Sequence, residues 1–141
     1  MENFAEFGKA ELKGWSEPQT ANAYAEGFAS AAEQCVADIV ETSLVTNGSV
    51  ALDVCCGQGI VAKGLATAGA EVIGLDFSPA MLKIARREVP MVDFVEGDAT
   101  TLPFADNIRC TIKSHDQIMN DLVFGLQFRH NLSKPASACC L

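Results

Sequence analysis

The chain has 141 residues, 49% of them hydrophobic, and a formal charge of -8 from 18 acidic and 10 basic side chains. This length is enough to bury one core and too short to suggest two. The acidic balance argues against a surface that follows nucleic-acid phosphates, and no apolar run approaches the roughly 18 residues of a membrane span. Acidic residues at the start do not fit a secretory signal, so we expect a cytoplasmic protein.

The six cysteines do not form a recognisable metal or disulfide pattern. No Cys-x-x-Cys pair occurs, and no histidine stands at zinc-ligand spacing from a cysteine. The sequence therefore predicts reduced thiols and no metal site.

The first third of the chain is predicted to be mostly helical. Residues 1 to 15 lack firm periodicity and predict a mobile lead-in or a short helix. Ser16 and Pro18 predict a helix start, because serine caps free amides and proline tolerates the first turn. Apolar residues then recur every three or four positions, which predicts one long amphipathic helix. These residues are Tyr24, Phe28, Ala32, Cys35, Val36, Ile39 and Val40.

Three short apolar runs then alternate with two helical segments. Repeating units of about 25 residues in this order require parallel strands joined by right-handed helical crossovers. The strands are predicted at 50 to 54, 71 to 76 and 92 to 96, and the helices at 60 to 68 and 78 to 87. The predicted fold class is α/β, with a Rossmann-like, doubly wound parallel sheet.

A polar group follows each predicted strand, at the sheet edge where such folds bind ligands. Asp53 lies beneath a glycine turn at 57 to 59, where backbone can approach a ligand closely. Asp76 is placed to accept hydrogen bonds from both hydroxyls of a ribose. Asp98 suits an exocyclic amine, and the amide of Ala99 suits a ring nitrogen. Together these groups predict a nucleoside-sized site.

Residues 50 to 104 resemble the core of class I S-adenosylmethionine-dependent methyltransferases, in particular the branch that includes ubiquinone and menaquinone biosynthesis enzymes. Three motifs carry the resemblance, in the family's order, and only their combination is specific. They are LDVCCGQG at 52 to 59, VIGLDFSPAML at 72 to 82, and GDA followed by LPF between 97 and 104.

The resemblance implies S-adenosylmethionine as cofactor and methyl transfer to a small-molecule acceptor. It implies that the first motif holds the methionine end, the second the ribose, and the third the adenine, with an apolar pair flanking the base. Cys55 stands where the family usually has its first glycine. The residues implied to bind the cofactor are Asp53, Cys55, Gly57, Gly59, Asp76, Phe77, Met81, Asp98 and Ala99. No catalytic residue is identified, since positioning by the protein can suffice for this reaction.

The resemblance is predicted to stop after Asn107. Relatives continue with a strand of the Phe-Asp-x-Val type, whereas Ile108 begins a different sequence here. We expect one compact domain in three parts, and an unfinished sheet edge through which the chain could form a homo-oligomer. The parts are a helical segment at 1 to 48, a cofactor-binding core at 49 to 107 and a divergent tail at 108 to 141, with strands predicted at 108 to 113 and 122 to 128 and a helix at 115 to 121.

Three alternatives stay open. The glycine turn followed by Asp76 also fits an NAD-dependent oxidoreductase, although Asp53 would repel a pyrophosphate there. A truncated product could bind the cofactor weakly without catalysing transfer, or bind only a partner chain through its unfinished sheet edge. Cys55 and Cys56 could form a nucleophilic pair, but inert packing is favoured for cysteines buried at the end of a strand.

Overall fold

The computed structural model describes residues 3–104 and 111–113 of the chain. Two long helices come first, and strands and helices then alternate. The helices are α1 (Asn3–Ser16), α2 (Pro18–Ser43), α3 (Ile60–Thr67) and α4 (Pro79–Glu88), and the strands are β1 (Val50–Val54), β2 (Glu71–Asp76), β3 (Asp93–Glu96) and β4 (Thr111–Lys113).

The four strands form one parallel sheet in the order β3-β2-β1-β4. This arrangement confirms the predicted parallel α/β fold. The strands predicted at 50 to 54 and 71 to 76 are confirmed to the residue, and the third begins one residue later than predicted. The strand predicted at 108 to 113 is present at 111 to 113. The elements predicted at 115 to 121 and 122 to 128 lie outside the described residues.

The predicted helix start at Ser16 is wrong in its detail. Ser16 is the last residue of α1, and its hydroxyl donates to the carbonyl of Leu12 at 2.6 Å, so it does not cap the next helix. Glu17 occupies the N-cap of α2 without a side-chain cap bond, and Pro18 is the first helical residue, as predicted. Of the two alternatives predicted for residues 1 to 15, a mobile lead-in or a short helix, the structure shows the helix, which spans Asn3–Ser16.

The main core lies between the sheet and the helical layer formed by α2, α3 and α4. Ala51, Leu65 and Leu82 are at most 1% exposed, and Ile39 and Val40 of α2 pack against this cluster. Phe28, predicted on the buried face of α2, is 54% exposed and stacks on Tyr24 with ring centroids 4.8 Å apart. Among the helices described, none combines the length and the apolar character needed to cross a membrane.

Candidate binding site at the carboxyl edge of the sheet

The parallel register brings the ends of the strands to one edge of the sheet. Val54 at the end of β1 pairs with Leu75 near the end of β2, and Asp76 pairs with Glu96 at the end of β3. Adjacent strands in a sheet lie about 4.8 Å apart. We call the residues at the carboxyl end of each strand its exit. The exits of β1, β2 and β3, where the sequence predicted polar groups, are therefore neighbours at this edge.

The loop after β1 turns sharply beneath the open edge. Gly57 donates its amide to Oδ2 of Asp76 at 2.8 Å, and Gly59 donates to the carbonyl of Cys56 at 2.8 Å. Both glycines have positive φ angles, 53° and 83°. A Cβ on Gly59 would lie 2.9 Å from Cζ of Phe94, whereas a Cβ on Gly57 would meet no described atom within 4 Å. Among the described residues, the outer side of the loop at Gly57 thus leaves room for a ligand.

Cys55 adopts the left-handed backbone conformation with a φ of 59°. This region favours glycine and strains residues that carry a Cβ. The usual family glycine at this position therefore has a conformational reason, which the chain meets with a small residue instead. The Cys55 side chain is half-buried against Leu52, Val54 and Leu75.

Asp53 is the most unusual group at this edge. It is 0% exposed, and within residues 3–104 and 111–113 neither carboxylate oxygen has a hydrogen-bond partner. Burial raises the pKa of Asp53 to about 8. The backbone amide of Ala62, which does not reach regular hydrogen-bond geometry, lowers this pKa in part, and the nearby charge of Asp76 raises it further. The ligand-free site therefore contains a buried carboxyl that is mostly protonated at neutral pH.

Cys56 lies beside this carboxyl and is 5% exposed. Burial, and after it the charge of Asp53, raises the pKa of the Cys56 thiol above its usual range. A thiol that resists ionisation is a poor nucleophile. The geometry therefore supports the packing role over the nucleophilic pair.

Asp76 is also buried, at 5% exposure, but backbone amides surround it. Its Oδ2 accepts from Gly57 and its Oδ1 accepts from Ser78, both at 2.8 Å. The Ser78 hydroxyl caps α4 by accepting from the amide of Met81 at 3.1 Å, which confirms the predicted cap, and it donates to the carbonyl of Trp15 at 2.5 Å. One serine thus links the second exit to the end of α1.

The two residues predicted to flank adenine lie in different surroundings. Phe77 is half-buried between Asp76 and Ser78 at the second exit. Met81 is 3% exposed and packs in a cluster with Ala21 and Ile84, against the helical layer. The structure does not bring the Met81 side chain into open space, so its contact with a base stays a prediction.

The third exit is the most exposed of the three. Asp98 is exposed, and its Oδ1 accepts from both the amide and the hydroxyl of Thr100 at 2.7 Å. Ala99 is half-buried and packs against the cluster of Leu52, Val54 and Leu75. Gly97 donates its amide to the carbonyl of Asp76 at 3.0 Å, which ties the third exit to the second.

Sequence reasoning missed two groups near the site. Ser78 was predicted only as a helix cap, and its bond to Trp15 across the fold had no local signal. Gln58 points its side chain toward α2, where Nε2 donates to the carbonyl of Ala25 at 3.4 Å and Oε1 is buried without a partner among the described residues. A long polar side chain between two glycines was the signal available for Gln58.

A groove of about 960 Å³ lies on the helical layer, between α2, α3 and α4. Gln58 is one of the residues that line this groove, whereas Asp53, Asp76 and Asp98 are not. The groove is therefore separate from the candidate site.

In the described ranges, no group of three or more His, Cys, Asp or Glu side chains is placed to hold a metal ion.

Comparison with known proteins identifies the family. The sequence profile described as "Methyltransferase domain" matches residues 51–123, which is half of the chain. The chain belongs to this methyltransferase family. The match continues beyond Asn107, so the point at which the chain departs from the family stays a prediction.

Individual relatives agree with this assignment. A demethylmenaquinone methyltransferase of Renibacterium salmoninarum is 40% identical over 100 residues, covering 71% of this chain and 38% of the relative. A TehB-like SAM-dependent methyltransferase of Corynebacterium glutamicum has the same fold, with a TM-score of 0.58 at 22% identity over 72% of this chain and 58% of that one. Magnesium protoporphyrin IX methyltransferase of Synechocystis, solved with bound SAM, gives a TM-score of 0.52 at 25% identity over 57% of this chain and 43% of that one.

These matches confirm the predicted resemblance to the menaquinone-type branch of class I methyltransferases and support it over the NAD-dependent alternative. The chain spans well under two thirds of the curated relative's length. Family membership and fold are therefore established, whereas the activity of this chain is a matter for proposal.

Proposed function

We propose that the chain binds S-adenosylmethionine across the three strand exits and transfers its methyl group to a small-molecule acceptor. The observation that carries this proposal is the juxtaposition of Asp53, Asp76 and the open glycine loop in a chain of the methyltransferase family. A cationic methionine end suits the buried carboxyl of Asp53, and a pyrophosphate would not.

The residues present fit such a ligand on structural grounds. Gly57 leaves space above the loop for close backbone approach. The Asp76 carboxylate lies at the end of β2 beside the glycine loop, and a carboxylate oxygen can accept more than one hydrogen bond, which suits ribose hydroxyls. The proposed adenine contacts are Asp98, the amide of Ala99, and the side chains of Phe77 and Met81.

When bound, the cofactor supplies an electrophilic methyl group on a sulfonium. The protein's part in such a reaction is to hold two reactants in line and to exclude water. Here the glycine loop and the Asp76 carboxylate orient the ligand, and the buried β1 exit provides a region of low dielectric. The acceptor and any general base stay unassigned.

Calorimetric titration of the full chain tests binding. We expect S-adenosylmethionine and S-adenosylhomocysteine to bind and NAD not to bind. Asp76→Ala should weaken binding by about 100-fold, because it removes both the ribose contact and the support of the loop. The matched control is Asp93→Asn, which removes an exposed carboxylate at the start of β3, away from the exits. Binding of NAD alone would contradict the proposal.

Transfer needs a separate measurement, since a chain can bind the cofactor without catalysis. The chain would be incubated with methyl-labelled donor and a small-molecule extract, and labelled products would be detected by mass spectrometry. We expect labelled small molecules that Asp76→Ala does not form. Binding without any labelled product would favour the non-catalytic alternative.

Location and assembly also belong to the proposal. We expect a cytoplasmic protein without nucleic-acid or membrane partners, and a homo-oligomer paired through the edge of the sheet. Light scattering after size-exclusion chromatography measures the oligomeric state, and a monomer at all concentrations would contradict the pairing.

A further inference from the structure

Asp53 combines three features that rarely occur together in a carboxyl group. It is fully buried, both of its oxygens are without hydrogen-bond partners in the described part of the chain, and a second carboxylate lies nearby on β2. Burying an unpaired charge is costly, so such a group keeps its proton until an opposite charge arrives. Asp53 therefore meets the conditions for a site that changes charge when a cation binds.

The described side chains around Asp53 supply no such charge, and the backbone amide of Ala62 lowers its pKa only in part. On β2 the facing titratable group is Asp76, and in the loop after β1 the groups are the thiols of Cys55 and Cys56. The α3 face toward the sheet is apolar at Val61, Ala62 and Leu65, and the helix's lysine, Lys63, is exposed. On β4 the register partner of Asp53 is Ile112, and the side chains of that strand lie outside the described residues.

We propose that Asp53 keeps its proton in the ligand-free chain and releases it to solvent as a cationic ligand binds. The inference rests on the proposed function, because S-adenosylmethionine is the cation expected at the β1 exit. No covalent bond changes: the carboxyl loses a proton to the buffer, and the carboxylate pairs with the positive end of the ligand.

The size of the effect follows from the two protonation states. With a pKa of about 8, roughly nine in ten Asp53 side chains are protonated at pH 7 in the free chain. A cation held against the carboxylate in a buried site favours the ionised form. Binding at pH 7 should then release between about one half and one proton, and affinity should rise about five- to tenfold from pH 6 to pH 7. Over this range α-amino groups, with a pKa of roughly 7.7–8.0, stay mostly protonated.

The experiment is calorimetry of the full chain at pH 7 in buffers that differ in ionisation enthalpy. The slope of the observed enthalpy against buffer ionisation enthalpy gives the number of protons released. We expect between about one half and one proton for S-adenosylmethionine and close to none for 5'-methylthioadenosine, which has the same adenosine and no charge. Asp53→Asn should bind S-adenosylmethionine about tenfold more weakly and release no proton, and Asp93→Asn should behave as the parent.

The outcomes separate this inference from the function on which it rests. Absence of S-adenosylmethionine binding would overturn both. Binding with no proton release, or with the same release from Asp53→Asn, would overturn the inference and leave the proposed function standing. A carbon-13 NMR titration of the ligand-free chain gives a second check: the Asp53 carboxyl should titrate near pH 8 and be absent from the Asp53→Asn spectrum. A midpoint near pH 4 would also overturn the inference.

Discussion

The first two strand exits contain the same side chain in opposite circumstances. Asp53 on β1 and Asp76 on β2 are both buried, at 0% and 5% exposure, on adjacent strands. Asp76 accepts backbone amides at both oxygens, whereas Asp53 has no hydrogen-bond partner within the described residues. Burial is similar for the two carboxyl groups, so the number of hydrogen-bond donors around each is what distinguishes them.

The difference arises from where each residue lies on its strand. Asp76 is the last residue of β2, where the chain turns and the amides of Gly57 and Ser78 face the sheet edge. Asp53 lies one residue inside β1, on the same face as Ala51, which belongs to the main core. One position along a strand therefore separates a carboxylate that accepts two backbone amides from a buried carboxyl with no regular hydrogen bond to a described group.

The largest effect is expected from Asp76→Ala. It leaves two amides at the edge without their acceptor, and hydrogen bonds to a charged group contribute about 1.5–3 kcal/mol each. We expect a loss of about 3–6 kcal/mol in the free energy of unfolding, measured by urea denaturation. A loss below about 1 kcal/mol would mean that these hydrogen bonds do not support the loop.

Asp53→Asn should change stability in the opposite direction. The unfolded chain ionises Asp53 above about pH 3.8, whereas the folded chain keeps the proton up to about pH 8. The folded state thus binds more protons in this window, and its stability falls as pH rises from about 4 to about 8. The asparagine variant lacks this loss.

The gain from Asp53→Asn should therefore grow with pH. Each pKa unit corresponds to about 1.36 kcal/mol, so we expect the variant's advantage to be about 2–4 kcal/mol larger at pH 8 than at pH 5. Urea denaturation of both proteins at the two pH values measures the difference. An advantage that is equal at pH 5 and pH 8, or a variant less stable than the parent at pH 8, would break the contrast with Asp76.

A pair of glycine variants tests how the loop between the two exits is held. Gly59→Ala places a Cβ on a residue with a φ of 83°, within 2.9 Å of the Phe94 ring, and should cost about 1–3 kcal/mol of stability. Gly57→Ala meets open space and carries only the conformational strain, so its cost should be smaller by denaturation. Its effect should instead fall on S-adenosylhomocysteine affinity. Equal stability losses would contradict this division.

The smallest effect concerns Ser78, which holds Asp76 and caps α4. Ser78→Ala should cost about 1 kcal/mol, and Ser78→Gly only a few tenths, if capping dominates. Both variants lose the bond to Trp15 and keep the amide that Asp76 accepts. If thermal unfolding shows that both variants lose about 1 kcal/mol of stability, the hydrogen bond from Ser78 to Trp15 contributes more than the cap of α4.

Much of the fold could be predicted because its signals are local. The strand at 71 to 76 is an apolar run between a helix-ending glycine and a serine-proline start, and both bounds were correct. The cap at Ser16 was wrong, since that hydroxyl is used within α1. Met81 fitted the family motif, yet its side chain lies among the helices. Motif position does not specify which way a helical side chain faces.

The sequence by itself determined the succession of strands and helices along the chain, the glycine loop after β1 and the carboxyl groups near the strand ends, because periodicity and turn residues act over a few positions. Only the tertiary structure decided the state of those carboxyl groups. Gly57 and Ser78 donate amide hydrogen bonds to Asp76, whereas no described group makes a regular hydrogen bond to Asp53 and the backbone amide of Ala62 only lowers its pKa in part. The physical reason is that the charge of a buried carboxyl depends on the groups that the rest of the chain brings to it, and these come from other strands and helices.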